Sequence, residues 1–323
     1  MKRSLTYNLT WERGRPACAP MSDQSYLSDG SRSSVRRLTC KLSLLIHGVL
    51  LSCLLCLRMA GAADLQPETV KAWNAYIESQ EKRIAAEENS NKGFLAMDFQ
   101  NADAAAKERR AVLAGEVSIR RMTPGKGADG DIEVPGGAIH HWRGAVFVPD
   151  VPFEFAINRI RHPELETEQQ EDVLESRVLE RSSPDQYKLY LKLKRSQIIT
   201  AIYNTEHLAN FRKLDDDRIV SRSISIKIAE VEQLGSGRER EKPEGHDRGF
   251  LWRMNSYWRY QRVPGGVLIE CESMTLSRSI PSVLEGLVRP IINNIAKESL
   301  ERTLRELRQR LVKTYNAPPP KKS

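Results

Sequence analysis

Residues 250–278 read FLWRMNSYWRYQRVPGGVLIECESMTLSR, and this stretch decides the fold. Two alternating runs flank the tetrapeptide VPGG at 263–266, where proline suits the second position of a type II turn and glycine the third. A two-residue hairpin with Val263 opposite Gly266 places Arg259 opposite Glu270, because antiparallel partners keep a constant sum of residue numbers. The sequence therefore predicts a hairpin in one defined register.

This register sorts the hairpin side chains into two faces, since successive residues of a strand point to opposite sides of a sheet. The first face is largely apolar and carries Ser256, Trp258, Tyr260, Val267, Ile269, Cys271 and Ser273. The second face joins opposite charges across the strands and carries Arg259, Gln261, Glu270 and Glu272. We expect an apolar element to cover the first face and the second to be the outer face of the sheet.

The residues after the hairpin predict that covering element. Apolar residues recur at spacings of three and four, which predicts one long amphipathic helix from Pro281. Its apolar stripe consists of Val283, Leu284, Leu287, Val288, Ile291, Ile292, Ile295, Leu300, Leu304, Leu307 and Leu311. Pro290 has no amide hydrogen, so we expect the helix to kink or restart there.

Upstream of the hairpin the pattern predicts short helices first and antiparallel strands later. A helix is predicted from Pro67 to about Glu88, strands over 115–121 and 137–149, and a short helix over 152–161. Strand 186–194 is expected to turn into 198–203 with Lys194 opposite Gln197, and another strand follows over 219–230. A doubly wound parallel sheet is excluded because no comparable helices separate these strands.

The predicted fold class is therefore α+β: a curved antiparallel sheet wrapped around a long C-terminal helix, with short helices after the second strand. We predict four regions along the chain. They are a leader over 1–63, an N-terminal helical segment over 64–114, the sheet-and-helix domain over 115–313 and a disordered tail over 314–323.

The net charge of +8 is concentrated in the leader. Residues 1–63 contain nine Lys or Arg and three Asp or Glu, whereas the rest of the chain contains 41 basic and 39 acidic residues. A nucleic-acid-binding protein needs a concentrated basic surface. The balanced charge of residues 64–323 therefore argues against a nucleic-acid partner.

The leader has the order of parts found in secretory signals. Basic residues precede the apolar run 42–57, and Ala60-Gly61-Ala62 satisfies a small-x-small cleavage rule, so we expect cleavage after Ala62 or Ala63 and export to the periplasm or medium. Two alternatives stay open, an uncleaved membrane anchor formed by 42–57 and a lipoprotein modified at Cys53. About forty residues precede the apolar run, which translation starting at Met21, or a mispredicted extension of the early segment, would explain.

The remaining candidates for chemistry have structural interpretations. Four of the five cysteines lie in the leader, so a cleaved chain keeps Cys271 alone and forms no internal disulfide. His140 and His141 are adjacent in a strand and point to opposite faces, so they cannot bind one metal ion together. The run 215–217 of three aspartates lacks the spaced ligands of a calcium loop. We predict no metal, no cofactor and no catalytic residue.

Arg222 is the polar exception in the strand over 219–230. Alternation groups it with Val220, Ile224 and the isoleucines that follow, on the apolar side. A buried guanidinium needs a partner. Three alternatives follow. Arg222 forms an ion pair with an internal glutamate, it lies at the rim of the sheet, or it anchors the anionic head group of a ligand.

The order of elements resembles the START-like superfamily, also called SRPBCC or polyketide cyclase-like, whose fold is the helix-grip. The resemblance spans about 115–311. It rests on Trp258-Arg259-Tyr260, Gly265-Gly266-Val267, Glu270-Cys271-Glu272, Leu276-Ser277-Arg278 and the terminal helix, and on the passage from Gly144-Ala145-Val146-Phe147-Val148-Pro149 into Phe153-Glu154-Phe155. These motifs are architectural, so they indicate a fold more strongly than a function.

The resemblance implies a cavity between the sheet and the C-terminal helix that binds a lipid, a polyketide or another hydrophobic small molecule. The candidate ligand-binding residues are Arg222, Tyr260, Trp258, Tyr187, Leu189, Leu191, Thr200, Ile202, Ile224, Ile269, Cys271, Leu287 and Ile291. We expect a carrier or sensor, with possible membrane contact during ligand exchange and no prediction of oligomeric state. The alternatives are a cyclase or hydrolase on this fold and a domain without a ligand. For the enzyme no acid–base pair is found, because Glu270 and Glu272 sort outward, Cys271 lacks a base and His207 follows a strand end.

Overall fold

The computed structural model describes residues 63–122, 132–165, 171–196, 200–232, 235, 237–279 and 285–317. Its α-helices are α1 (Pro67–Glu88), α2 (Ala102–Leu113), α3 (Phe153–Arg161) and α4 (Glu285–Asn316), and 3-10 turns span Ala96–Phe99 and Pro163–Leu165. Its strands are β1 (Ala63–Asp64), β2 (Ser118–Arg121), β3 (Ile132–Val134), β4 (Gly137–Pro149), β5 (Val173–Ser183), β6 (Gln186–Ser196), β7 (Thr200–Lys213), β8 (Arg218–Glu232), β9 (Arg240–Glu241), β10 (His246–Asp247), β11 (Arg253–Val263) and β12 (Gly266–Arg278). The predicted bounds of α1 and β4 are confirmed.

One antiparallel sheet dominates the fold. Its strand order is β5-β6-β7-β8-β11-β12-β4-β2, while β3 pairs with β4, β9 with β8, and β1 with β10. The hairpin β11–β12 has the predicted register, with Val263 opposite Gly266 and Arg259 opposite Glu270. The large unclosed antiparallel sheet and the C-terminal helix form the predicted α+β helix-grip architecture.

Helix α4 packs against the face that carries Tyr260 and Ile269, which we call the inner face. Its residues Leu300, Leu304, Leu307 and Leu311 are buried in one cluster with inner-face residues of β4, β11 and β12. Gly144 on β4 allows this close approach, because a methyl group there would collide with Leu304 and Ile119. The helix is continuous from Glu285 through Pro290 to Asn316, so it does not restart at Pro290, and its predicted start at Pro281 lies outside the described residues.

The opposite face, which we call the outer face, is covered by the N-terminal segment. Trp73 and Ile84 of α1 pack with Met274 and Leu276 of β12. A second cluster joins Phe94, Leu95, Met97 and Val112 to Ala145, Val220 and Leu268. The segment over 64–114 is thus a third layer of the structure, and the charged face predicted to lie outward is buried beneath it.

Two details of strand pairing overturn the predicted faces of β7 and β8. Ser196 pairs with Thr200 and Leu193 with Tyr203, so the register differs from the predicted one by an odd number of residues. Such a change moves every side chain of β7 to the other face. In β8 the register shifts opposite Glu206 and His207, so that Ile226 has no partner on β7. Because of this bulge, the inner face carries Ser221 and Ser223 in the part of β8 before Ile226 and Ile228 in the part after it.

Candidate functional site

A row of aromatic rings crosses the inner face. Tyr187 on β6 stacks on Phe211 of β7 with ring centres 6.2 Å apart, Phe211 on Tyr260 at 6.3 Å, and Tyr260 on Trp258 at 6.3 Å. Ser221 of β8 lies between β7 and β11, and its small side chain lets the rings meet above it. Its Oγ is hydrogen-bonded to the Tyr260 hydroxyl at 3.1 Å. These rings give the inner face a broad apolar surface, and the Tyr260 hydroxyl is already paired.

His207 lies farther along β7 on the same face, opposite Leu189. Its side chain is buried, with Nε2 3.0 Å from Oγ1 of Thr205. The Thr205 hydroxyl donates to the carbonyl oxygen of Leu191 at 3.0 Å. Nδ1 of His207 is buried and has no hydrogen-bond partner among the described residues. Burial lowers the pKa of His207 to about 4, so the imidazole is neutral at pH 7.

Two further polar atoms of this face are buried without a partner in the described part of the chain. They are the hydroxyl of Tyr203 and Nε1 of Trp142. Tyr203 packs with Leu193 and Ile228, and burial together with the negative charges of Glu230 and Asp247 raises the pKa of its hydroxyl. An arrangement of this kind, mostly apolar with a few uncommitted neutral groups, suits a hydrophobic ligand with a polar end.

The outer face contrasts with it, because its central buried groups are charged and form ion pairs, although Nη1 of Arg259 has no hydrogen-bond partner among the described residues. Arg143 binds Glu108 through two contacts of 2.8 Å and Glu270 at 3.2 Å. Arg259 contacts Glu87 at 2.6 Å and Glu270 at 3.5 Å. Burial raises the pKa of Glu270 against the opposing charges of Arg259 and Arg143. The network joins the sheet to α1 and α2.

Glu272 is the second carboxylate of this network. It accepts a hydrogen bond from Nε2 of His141 at 3.0 Å, whose Nδ1 lies 2.7 Å from the Tyr76 hydroxyl, and it also binds Arg83. Burial opposes ionisation, but the hydrogen bond from His141 and the charges of Arg259 and Arg83 lower the pKa of Glu272 to about 2. His140 instead pairs with Ser277 at 2.9 Å, so the two histidines do point apart.

A polar cleft of about 700 Å³ opens between the N-terminal segment and the β7–β8 turn. Its arginines are paired with its carboxylates: Arg109 with Asp98 at 3.0 Å, Arg218 with Asp215 at 2.6 Å and Arg262 with Asp217 at 2.8 Å. This cleft lies on the outer side of the sheet, away from the predicted ligand site. No cluster of three potential metal ligands occurs among the described residues.

The structure brings seven of the predicted ligand residues to the inner face. They are Tyr187, Leu189, Leu191, Trp258, Tyr260, Ile269 and Cys271. Tyr187, Tyr260, Ile269 and Cys271 are buried, and Leu189, Leu191 and Trp258 are half-buried. Burial raises the pKa of Tyr187 to about 12 and that of the Cys271 thiol well above its usual value.

Four predicted residues lie elsewhere. Arg222 is 58% exposed and contacts Glu81 of α1 at 3.8 Å, so it lies on the outer face and cannot anchor a ligand head group. Ile224 packs beside Trp73 and Tyr257 on that face. Thr200 is exposed and Ile202 is buried on the outer side, because the β6–β7 register reversed their faces. The side chains of Leu287 and Ile291 lie outside the described part of α4.

Sequence reasoning missed His207, Thr205, Tyr203 and Phe211. His207 is in the middle of β7 and does not follow a strand end. The signal was present in the alternation of Tyr203, Thr205, His207, Ala209 and Phe211, which share one face of β7. That pattern was obscured because the β6–β7 turn was placed too early in the chain.

No protein-family model matches the sequence, and no curated protein matches it. Solved structures do. A STAR-related lipid transfer protein from Xanthomonas axonopodis is 18% identical with a TM-score of 0.38, and the match covers 55% of this chain and 95% of that one. The Zhui aromatase/cyclase from Streptomyces sp. R1128 is 8% identical with a TM-score of 0.39, covering 55% and 97%. Human STARD10 is 10% identical with a TM-score of 0.36, covering 66% and 81%.

All three structures are less than 20% identical to this chain and have TM-scores below 0.4. At such identities the likeness concerns the fold. Among the described residues, the helices are too short or too polar to cross a membrane.

Proposed function

We propose that this protein binds a hydrophobic small molecule, lipid-like or polyketide-like, between the inner face of its sheet and α4. The observation that carries the proposal is a pair of buried neutral groups on the inner face, Nδ1 of His207 and the hydroxyl of Tyr203, that have no partner among the described residues. A buried polar atom left unpaired costs about 1–3 kcal/mol. A ligand that pairs with these atoms removes that cost.

The same residues favour binding over catalysis. A general base works best with a pKa near the operating pH, and the pKa of His207 is about 4. The Cys271 thiol is buried and its pKa is raised, so it is a poor nucleophile. Glu270 and Glu272 lie on the other side of the sheet in ion pairs. We therefore propose a carrier or sensor rather than a cyclase or hydrolase.

Native ligand capture tests the proposal directly. Protein purified from its producing host is extracted with organic solvent, and the extract is analysed by mass spectrometry. We expect one class of hydrophobic compound in near-stoichiometric amount. An extract identical to that of an unrelated protein from the same preparation, together with no binding of the neutral dye Nile red, would overturn the proposal.

A matched pair of substitutions locates the bound molecule. Leu189 is half-buried on the inner face beside His207, whereas Leu208 is 50% exposed on the outer face of the adjacent strand. We expect Leu189→Trp to weaken Nile red binding at least fivefold by filling space, and Leu208→Trp to leave the Kd within twofold. Equal effects of the two substitutions would contradict binding at the inner face.

We also propose that the leader over 1–63 directs export and is cleaved after Ala62 or Ala63, so that the carrier acts outside the cytoplasm. The motif and charge pattern of the sequence support this part. Intact mass of the protein from its native host distinguishes the outcomes: loss of the leader supports export, a mass that includes a lipid on Cys53 indicates a lipoprotein, and the full-length mass indicates an anchor or a later translation start.

A further inference from the structure

We propose that the ligand presents a neutral hydrogen-bond donor, a hydroxyl or phenol group, to Nδ1 of His207, and that Thr205 sets this preference. The inference rests on the proposed function, because it assigns the polar end of the molecule bound at the inner face. It identifies the ligand by its chemistry: a hydrophobic alcohol or phenol, rather than a carboxylate, an ether or a ketone.

The hydrogen bonds of Thr205 determine which nitrogen of His207 carries the proton. The Thr205 hydroxyl has one hydrogen, and it donates that hydrogen to the carbonyl oxygen of Leu191 at 3.0 Å. Its oxygen can then only accept in the 3.0 Å contact with Nε2 of His207. Nε2 must therefore bear the proton, and Nδ1 of the neutral ring carries a free lone pair.

Burial removes water as an alternative partner for both side chains. Thr205 is 0% exposed and His207 is 1% exposed, so solvent does not compete for the hydroxyl or the ring. Reversing the tautomer would leave Nε2 and the Thr205 oxygen facing each other as two acceptors, or break the bond to Leu191. Nδ1 is consequently an acceptor, and its complement is a donor on the ligand.

The surroundings of His207 exclude an anionic partner. Burial alone lowers its pKa, and no charged group of the described chain contributes to the shift. Its neighbours across the strands are Leu189 on β6 and Ser225 on β8, both uncharged. A carboxylate would meet a lone pair in an environment of low polarity with no cation to compensate it. Arg222, the cation predicted to pair with an anionic head group, lies on the outer face.

Two matched probe sets test the inference and separate aromatic from aliphatic ligands. The first is 2-naphthol, 2-methoxynaphthalene and 2-naphthoate; the second is 1-dodecanol, dodecyl methyl ether and dodecanoate. Each competes with Nile red for the full chain at pH 7. We expect the hydroxyl compound of at least one set to bind about tenfold more tightly than its ether and its carboxylate, which corresponds to one well-made hydrogen bond.

Variants at Thr205 and His207 show whether this preference has the proposed origin. Thr205→Val removes the acceptor for Nε2 and frees the tautomer, so we expect ether and alcohol to bind within about threefold of each other. His207→Phe removes the acceptor and should abolish the preference while Nile red still binds. Arg222→Leu is the outer-face control and should leave all affinities within twofold.

The outcomes separate the inference from the function beneath it. If Nile red binds but alcohol, ether and carboxylate compete equally, or the carboxylate competes best, the inference is wrong and the proposed function stands. If the wild type prefers the alcohol and both Thr205→Val and His207→Phe keep that preference, the inference is also wrong, because another group binds the ligand hydroxyl. If neither the dye nor any probe binds, both proposals fail.

Discussion

The two faces of the sheet bury polar groups in opposite ways. On the outer face, Arg143, Arg259, Glu270 and Glu272 are charged and are paired with one another and with α1 and α2. On the inner face, His207 and Tyr203 are neutral and have atoms without partners in the described chain. A charged group buried in a protein requires a permanent partner. A neutral group that is unpaired until a ligand binds costs less free energy. The outer face is therefore suited to holding the fold together and the inner face to binding.

Breaking the charged network should have the largest effect. Arg259→Leu leaves Glu87, Glu270 and Glu272 without one of their cations, and removing one partner of a buried ion pair costs about 3–5 kcal/mol. We expect the free energy of unfolding, measured with urea, to fall by that amount. Arg222→Leu, on the same face but exposed, should change it by less than about 0.5 kcal/mol. Similar losses in the two variants would show that the network does not stabilise the fold.

Glu272 should give the outer face its own pH dependence. Its pKa is about 2 in the fold and near 4.5 when unfolded, so its contribution is complete above pH 4.5 and is lost as the pH falls towards 2. The shift corresponds to about 3 kcal/mol. Urea unfolding of Glu272→Gln and of the wild type should differ at pH 6 and converge as the pH falls through this window. Parallel curves would contradict the low pKa.

His207 should act in the same direction as Glu272 but in a higher pH window. Its folded pKa of about 4 lies below the unfolded value of 6.5, so the unfolded chain takes up the proton first. Stability should therefore fall by up to about 3 kcal/mol as the pH drops from 6.5 to 4. His207→Phe should reduce this slope; His141, whose pKa burial also lowers, supplies the remainder. An unchanged slope would mean that His207 is accessible to solvent.

The packing of α4 on the inner face should be the least sensitive feature. Gly144→Ala adds a methyl group against Leu304 and Ile119, and overpacking of this kind costs about 1–3 kcal/mol. Because the obstructing atoms are side-chain ends, Leu304→Ala should relieve part of the strain. The double variant is thus expected to lose less free energy of unfolding, measured with urea, than the two single variants combined. Strictly additive losses would show that α4 lies farther from β4.

The accuracy of the sequence predictions depended on whether local signals fixed the register. The turn at 263–266 and the charge pairs across β11 and β12 determined the hairpin, and the predicted register is confirmed. The turn between β6 and β7 has no comparable signal, and its misplacement hid His207 and misassigned Thr200 and Ile202. The bulge at Ile226 has no signature in composition either, so Arg222 and Ile224 were placed on the wrong side.

Alternation also could not show what covers each face. Alternation correctly predicts that Glu270 and Glu272 lie on one face of the sheet and Ile269 and Cys271 on the other face. That the N-terminal segment would cover the two glutamates depends on contacts between residues about 170–190 positions apart, such as Arg83 with Glu272 and Ala96 with Glu270. Pairings this distant leave no periodic pattern in either segment, and only the tertiary structure reveals them.

The unpaired residue Ile226 limits how this chain can diverge. A substitution within β8 alters one side chain, but the loss or gain of a single residue near position 226 would exchange the environments of all residues from there to the strand end. Val231 and Glu230, which are both buried, would exchange faces of the sheet, and Glu230 would be separated from Lys242 and Arg248. Relatives of this protein should therefore vary in the identity of the β8 residues while keeping its length, and insertions should accumulate in the loop that follows.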